Sequence, residues 1–155
     1  MKDIREMVER YESIIKTYKQ AEEKEDTAGM KTAREDMNAL MKEVESGDVT
    51  DVSMFRLLSA ARDAGNDRID LSQPSDYKNV KELVKQFKDY GFTEFTFSST
   101  WSSAVETAYE FVKNGCILCG MVEINSMLGS AFSNEPEKKP AYLFRIVLAE
   151  EYHEE

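Results

Sequence analysis

The densest run of hydroxyls in the chain is Ser98-Ser99-Thr100-Trp101-Ser102-Ser103. A serine does covalent chemistry only with a base within hydrogen-bond reach. His153 is the only histidine and lies in the acidic tail, and no G-x-S-x-G elbow surrounds any serine. The nearest acids are Glu94, Glu106 and Glu123. A carboxylate pair performs acid-base work only where environment separates the two pKa values, which spacing alone does not reveal. Glu106 is in addition taken up by a capping box with Ser103. Cys116-x-x-Cys119 is the other candidate. Metal and redox versions of that motif sit in a knuckle or at a helix start, where the sulfurs converge. Here the pair falls in an expected strand, where an offset of three sends the side chains to opposite faces, and no second pair exists. Two buried structural cysteines are therefore expected. No phosphate-binding glycine loop is present, and no catalytic residue, metal or cofactor is assigned.

The elements that would position the serine run are legible on either side of it. Residues 93–98 alternate polar and aromatic, so Phe95 and Phe97 share a buried face while the other face is polar or thinly covered. A helix starts at Ser103, buries Val105, Ala108, Tyr109 and Val112 at helical spacing, and ends at Asn114-Gly115. Residues 116–124 are apolar on both alternating faces apart from Glu123, which reads as a strand covered on both sides at the centre of a sheet. Upstream, residues 68–71 form a short strand. A turn at Ser72-Gln73-Pro74-Ser75 and a helix through Tyr77, Val80, Leu83, Val84, Phe87 and Tyr90 complete a βαβ unit with the strand at Phe95. Residues 126–140 are a long polar connection. Residues 141–149 are a last strand, antiparallel to 116–125, with Glu123 and Arg145 placed for a cross-strand ion pair.

Ahead of this lie two heptad seams, Ile4, Met7, Tyr11, Ile14, Tyr18, Ala21 and then Met30, Ala33, Met37, Leu40, Val44. Their register breaks at Asp26-Thr27-Ala28-Gly29, which predicts a helical hairpin. A third helix carries Val52, Phe55, Leu58 and Ala61, capped near Thr50 or Asp51 and stopping at Gly65. The expected class is α+β or α/β: a helical hairpin plus third helix, then a β-α-β-α-β-β mixed sheet with helical cover. The expected division is 1–47 helical hairpin, 48–149 α/β domain and 150–155 acidic tail.

Ligands of open α/β sheets collect beyond the carboxyl ends of parallel strands. If the segments bearing Phe97 and Val122 run side by side in one direction, a common rim gathers Ser72, Gln73 and Ser75; Ser98, Ser99, Thr100, Trp101, Ser102 and Ser103; and Glu123, Asn125 and Ser126. The helix start there favours a carboxylate or phosphate, and Trp101 is suited to stack on a ring.

The 20 Lys and Arg against 30 Asp and Glu leave a net charge of −10, which opposes direct binding to a phosphate backbone and favours a protein partner with a basic surface. No apolar run approaches the roughly 20 residues that cross a bilayer, and the start lacks a basic flank with an apolar run, so a cytoplasmic protein is expected. The segments at residues 94–106, 115–116, 120–125 and 140–144 resemble small acidic proteins carried on bacterial mobile elements, plasmids and prophages, over roughly the last 90 residues. The resemblance implies no activity and no functional residue. By size, acidity and setting it is similar to anti-CRISPR and anti-restriction proteins. The leading expectation is a non-enzymatic protein-binding inhibitor of a nucleic-acid-processing defence enzyme, acting through an acidic surface. The alternatives are a small-ligand sensor or enzyme using the joint at residues 98–103, and an oligomeric scaffold that dimerises through the N-terminal helices.

Overall fold

The computed structural model describes residues 3–126 and 137–147. Most of the connection expected at 126–140, the end of the last strand and the acidic tail lie outside these residues. The chain divides into two compact units, Met1–Arg62 and Asp63–Glu155.

The first unit is helical. Helix α1 (Ile4–Glu23) begins where Asp3 Oδ1 accepts the Glu6 amide at 3.2 Å, and α2 (Thr27–Glu45) begins where Asp26 Oδ1 accepts the Gly29 amide at 2.9 Å. The hairpin turn falls at residues 24–26, ahead of the expected 26–29, because Asp26 caps α2 and Thr27, Ala28 and Gly29 already form its first turn. Its left-handed residue is Glu25, at φ 54°. Ile4, Met7 and Ala21 on α1 and Ala33, Leu40 and Val44 on α2 are buried, and the two helices pack together. Arg10 pairs with Glu43 at 2.9 Å across the hairpin. Helix α3 (Val49–Asp63) starts a little earlier than expected, because Asp48 and Asp51 cap reciprocally: the Asp51 amide donates to Asp48 Oδ1 at 2.9 Å and the Asp48 amide to Asp51 Oδ2 at 3.1 Å. Asp48, not Thr50 or Asp51, is the cap. The α3 ring of Phe55 meets Tyr11 of α1 edge-on at 5.9 Å. The third helix thus belongs to the first unit rather than to the α/β part.

The second unit is a four-stranded mixed sheet. Its strands are β1 (Asp70–Leu71), β2 (Glu94–Phe97), β3 (Cys116–Asn125) and β4 (Lys138–Ile146), in the order β1-β2-β4-β3. β1 and β2 are parallel, as the βαβ reading required, and helix α4 (Val80–Asp89) joins them after a 3₁₀ turn at Pro74–Tyr77. β4 is antiparallel to both β2 and β3. Helix α5 (Ala104–Lys113) carries the chain from β2 to β3, and Gly115, at φ +91°, makes the turn into the strand.

One face of the sheet holds an aromatic core. Phe111 of α5 lies 4.9 Å from Phe95, 5.6 Å from Phe97 and 5.4 Å from Phe144, and Phe87 of α4 lies 5.3 Å from Phe95. This cluster sets the rotation of α5 and corrects the expected buried stripe. Phe111 is the buried residue, while Val105, Tyr109 and Val112 are exposed. A ring that reaches the middle of three strands gains more from burial than two valines on the flank.

Three further expectations are corrected. β3 is not the centre of the sheet. It is an edge strand that exposes Ile117, Leu118 and Met121. Glu123 stands opposite Pro140, and Arg145 opposite Glu94 and Ile117, so the Glu123–Arg145 pair does not form. The cysteines differ: Cys116 is buried, and burial pushes its thiol up to about 11, whereas Cys119 is exposed at a bulge where the register shifts between Leu118 and Gly120. Among the described residues no helix is long and apolar enough to cross a membrane.

Candidate functional site

The strands bearing Phe97 and Val122 run in the same direction, both being antiparallel to β4, but they are not side by side because β4 lies between them. The expected common rim is therefore split into two polar clusters.

The first cluster joins the ends of β1 and β2. The amides of Ser72 and Gln73 donate to Asp76 Oδ2 at 3.1 and 3.0 Å, which fixes the turn after β1. Ser99 Oγ shares a hydrogen bond of 2.7 Å with the Tyr77 hydroxyl and accepts the Trp101 amide at 3.3 Å. Gln73, Ser75, Thr100, Trp101, Ser102 and Ser103 are exposed. Ser103 is the residue before α5, as expected, but its capping box with Glu106 is absent. Its backbone sits at φ −86°, ψ 6°, outside the extended conformation from which a side chain reaches back to the first turn.

Ser98 turns the other way, onto the face expected to be polar, where Thr96 and Ser98 are buried and Glu94 is exposed. Asp70, 1% exposed, accepts from Thr96 Oγ1 at 2.7 Å and from Ser98 Oγ at 2.6 Å, with Lys139 Nζ 4.0 Å away. Burial raises the Asp70 carboxyl above the ordinary carboxylate range; the Ser98 and Thr96 hydrogen bonds and the Lys139 charge pull it back, and Asp76 adds to the rise. Sequence reasoning missed Asp70. The signal available was an acid between Ile69 and Leu71, facing hydroxyls at the alternating positions 96 and 98. Because Ser98 is itself buried and spends its proton on this carboxylate, the arrangement locks β1 to β2 and offers no accessible nucleophile.

The second cluster lies at the end of β3, where a cleft of about 220 Å³ is lined by Asn66, Arg68, Thr96, Glu123, Asn125 and Lys138 among others. Several of its polar groups are hydrogen-bonded within the chain. Asn66 Oδ1 accepts the Asn125 amide and its Nδ2 donates to the Asn125 carbonyl, both at 2.9 Å; Lys138 Nζ donates to Asn125 Oδ1; and Arg68 pairs with Glu94 at 2.7 Å. The Ser126 amide donates to Glu137, so the alternation of an antiparallel ladder turns the backbone groups of Asn125 outward, and the Asn66 carboxamide stands in there for a neighbouring strand. We expect Asn66→Ala to cost about 1–2 kcal/mol, since both partners are left to water at the margin. Hydrogen exchange would show faster loss of the Asn125 amide, and unchanged protection would refute the role given to Asn66.

The third feature is apolar. On α5, Val105 (80% exposed) and Val112 lie roughly a third of a turn from Phe111, and Tyr109 (62%) nearly half a turn from it on the same flank. α5 packs against β3. A right-handed crossover, the sense such connections take, turns this flank toward β3. There Leu118 and Met121 (61%) stand opposite Phe144 and Tyr142 on the helix-bearing face, with Leu118, Met121 and Tyr142 all exposed. The result is an apolar trough walled by α5 and floored by β3 and β4. With ~150–250 Å² for a whole aromatic side chain and less for an aliphatic one, these six expose roughly 600 Å², at the upper end for the largest patch on a monomer. Sequence reasoning placed those on α5 and β3 on covered faces.

A family model described as "Domain of unknown function (DUF7698)" matches residues 53–146, from within α3 to the last residue of β4. No curated protein and no solved structure matches the chain.

Proposed function

The chain belongs to the DUF7698 family, and we propose that it works as a non-enzymatic protein-binding protein whose docking surface is the trough between α5 and β3. The observation that carries this reading is the exposure of Val105, Tyr109, Val112, Leu118, Met121 and Tyr142 on one face of a chain that is otherwise rich in charge. Apolar surface of this extent gains free energy when another protein covers it. The two polar clusters support binding less well, because Ser98, Ser99, Asn66, Asn125 and Lys138 already hydrogen-bond within the chain.

The partner class follows from the same reading: a folded protein that presents an apolar ridge. A second reading, inhibition of a nucleic-acid-processing defence enzyme through an acidic surface, is favoured by the net charge of −10. The two respond to salt in opposite ways. We expect a partner captured by the wild-type chain to survive washing at high salt and to be lost with Tyr109→Glu or Met121→Lys, exposed positions where either change spares the core. Capture that ignores these variants and dissolves with salt would replace the trough with the acidic surface.

A further inference from the structure

We infer that the protein docked in the trough is a second copy of this chain, so that the working unit is a two-fold symmetric dimer; this rests on the trough being a docking surface. A two-fold interface must be self-complementary, with the same patch on both sides. The ridge, Val105, Tyr109 and Val112 on α5, lies beside the hollow, Leu118, Met121 and Tyr142 on the sheet. One rotation about an axis in the plane of that face sets each ridge into the other's hollow.

Area and charge agree with it. The roughly 600 Å² of apolar side chain in the patch, with a rim added, approaches the ~800 Å² per partner of an ordinary stable interface. Two molecules each carrying −10 repel; the six residues of the patch are uncharged, while Glu123, exposed two residues beyond Met121 on the same face, sets a carboxylate at its rim. The sign of the salt effect follows. Screening weakens repulsion between like-charged copies, so association strengthens as salt is added, whereas association with a basic partner weakens.

The open side of β3 is a different surface and is not the interface proposed. Its run of outward backbone groups is interrupted at the Cys119 bulge, where Gly120 sits at φ +121°, and is closed at Asn125 by Asn66.

The test is the mass of the full chain by analytical ultracentrifugation over a concentration and salt series, with a melting curve for each variant. The expected result is twice the 17.8 kDa chain mass, a dimer population that rises with salt, and a return to 17.8 kDa with Tyr109→Glu and, independently, with Met121→Lys, each melting where the wild-type chain melts once diluted to monomer. A wild-type chain that stays at 17.8 kDa throughout overturns the inference. So does a dimer indifferent to both variants, which puts the contact elsewhere, on the N-terminal helices for example. A monomeric wild type that captures a different protein in a Tyr109-dependent way overturns the second copy as occupant while upholding the docking surface. Loss of nothing in either assay removes both.

Discussion

Phe111→Ala is expected to lower the stability of the α/β unit by about 3–5 kcal/mol, the range for removing a fully buried phenylalanine from a core that cannot close over the gap. Phe111 is 0% exposed and lies within 6 Å of the rings of Phe95, Phe97 and Phe144, three side chains on two strands that are themselves paired. The strands are held by their ladder, so the cavity persists. For a unit of this size each kcal/mol is worth ~4–8 °C in the midpoint, and the variant should melt well below the wild type. Urea titration followed by near-ultraviolet dichroism measures it. A loss below about 1 kcal/mol would mean that α5 is not anchored through this ring, and the rotation that exposes Val105 and Tyr109 would lose its cause. Val105→Ala, on the open flank, should cost almost nothing when no partner is present.

The second large effect belongs to Asp70. Asp70→Ala leaves two buried hydroxyls, Thr96 and Ser98, without an acceptor, at ~1–3 kcal/mol each. Relief of the desolvated carboxylate offsets part of this, so a net loss of about 2–4 kcal/mol is expected. The pH dependence separates charge from hydrogen bonding. Burial holds the folded-state carboxyl above its ordinary 3.8, so the native protein binds that proton more tightly than the unfolded chain does. The contribution of this group is therefore fully present in acid below 3.8 and is lost as pH rises through the higher folded value, the reverse of a salt-bridged surface carboxylate. Asp70→Asn, which keeps the shape and stays neutral, should abolish that component: its stability relative to wild type should climb between 3.8 and neutrality and then level off. Parallel curves for the two proteins across that window would show that folding leaves the proton affinity of Asp70 unchanged.

Periodicity made the outer plan of the molecule readable. The heptad seams, the alternation of Phe95 and Phe97 and the antiparallel pairing of β3 with β4 each follow from local spacing and appear as expected, while the hairpin turn sits at residues 24–26 rather than 26–29. What spacing could not convey was which of two apolar surfaces is covered. Residues 116–124 read alike whether a strand is enclosed by neighbours or lies at a margin with open side chains, because sequence records hydrophobicity and not adjacency. The same ambiguity turned α5: Val105, Tyr109 and Val112 make the more regular stripe, yet the single ring of Phe111 reaches the sheet centre and sets the helix orientation. Of the candidate site, the rim residues lie at the ends of strands that do share a direction, but β4 separates them. Asn66 was invisible, since its role depends on a contact 59 positions away.

The extra residue at Cys119 and the carboxamide clamp at Asn125 have a further effect on how the molecules behave in a crowded solution. A long apolar strand at a sheet margin is the usual seed for cross-β growth, in which each chain offers the next a row of spare amides. Here that row is cut on both sides of a stretch of a few residues, too short to template another strand. In the proposed dimer the copies meet through side chains, an arrangement that finishes in a closed pair instead of propagating into a fibril.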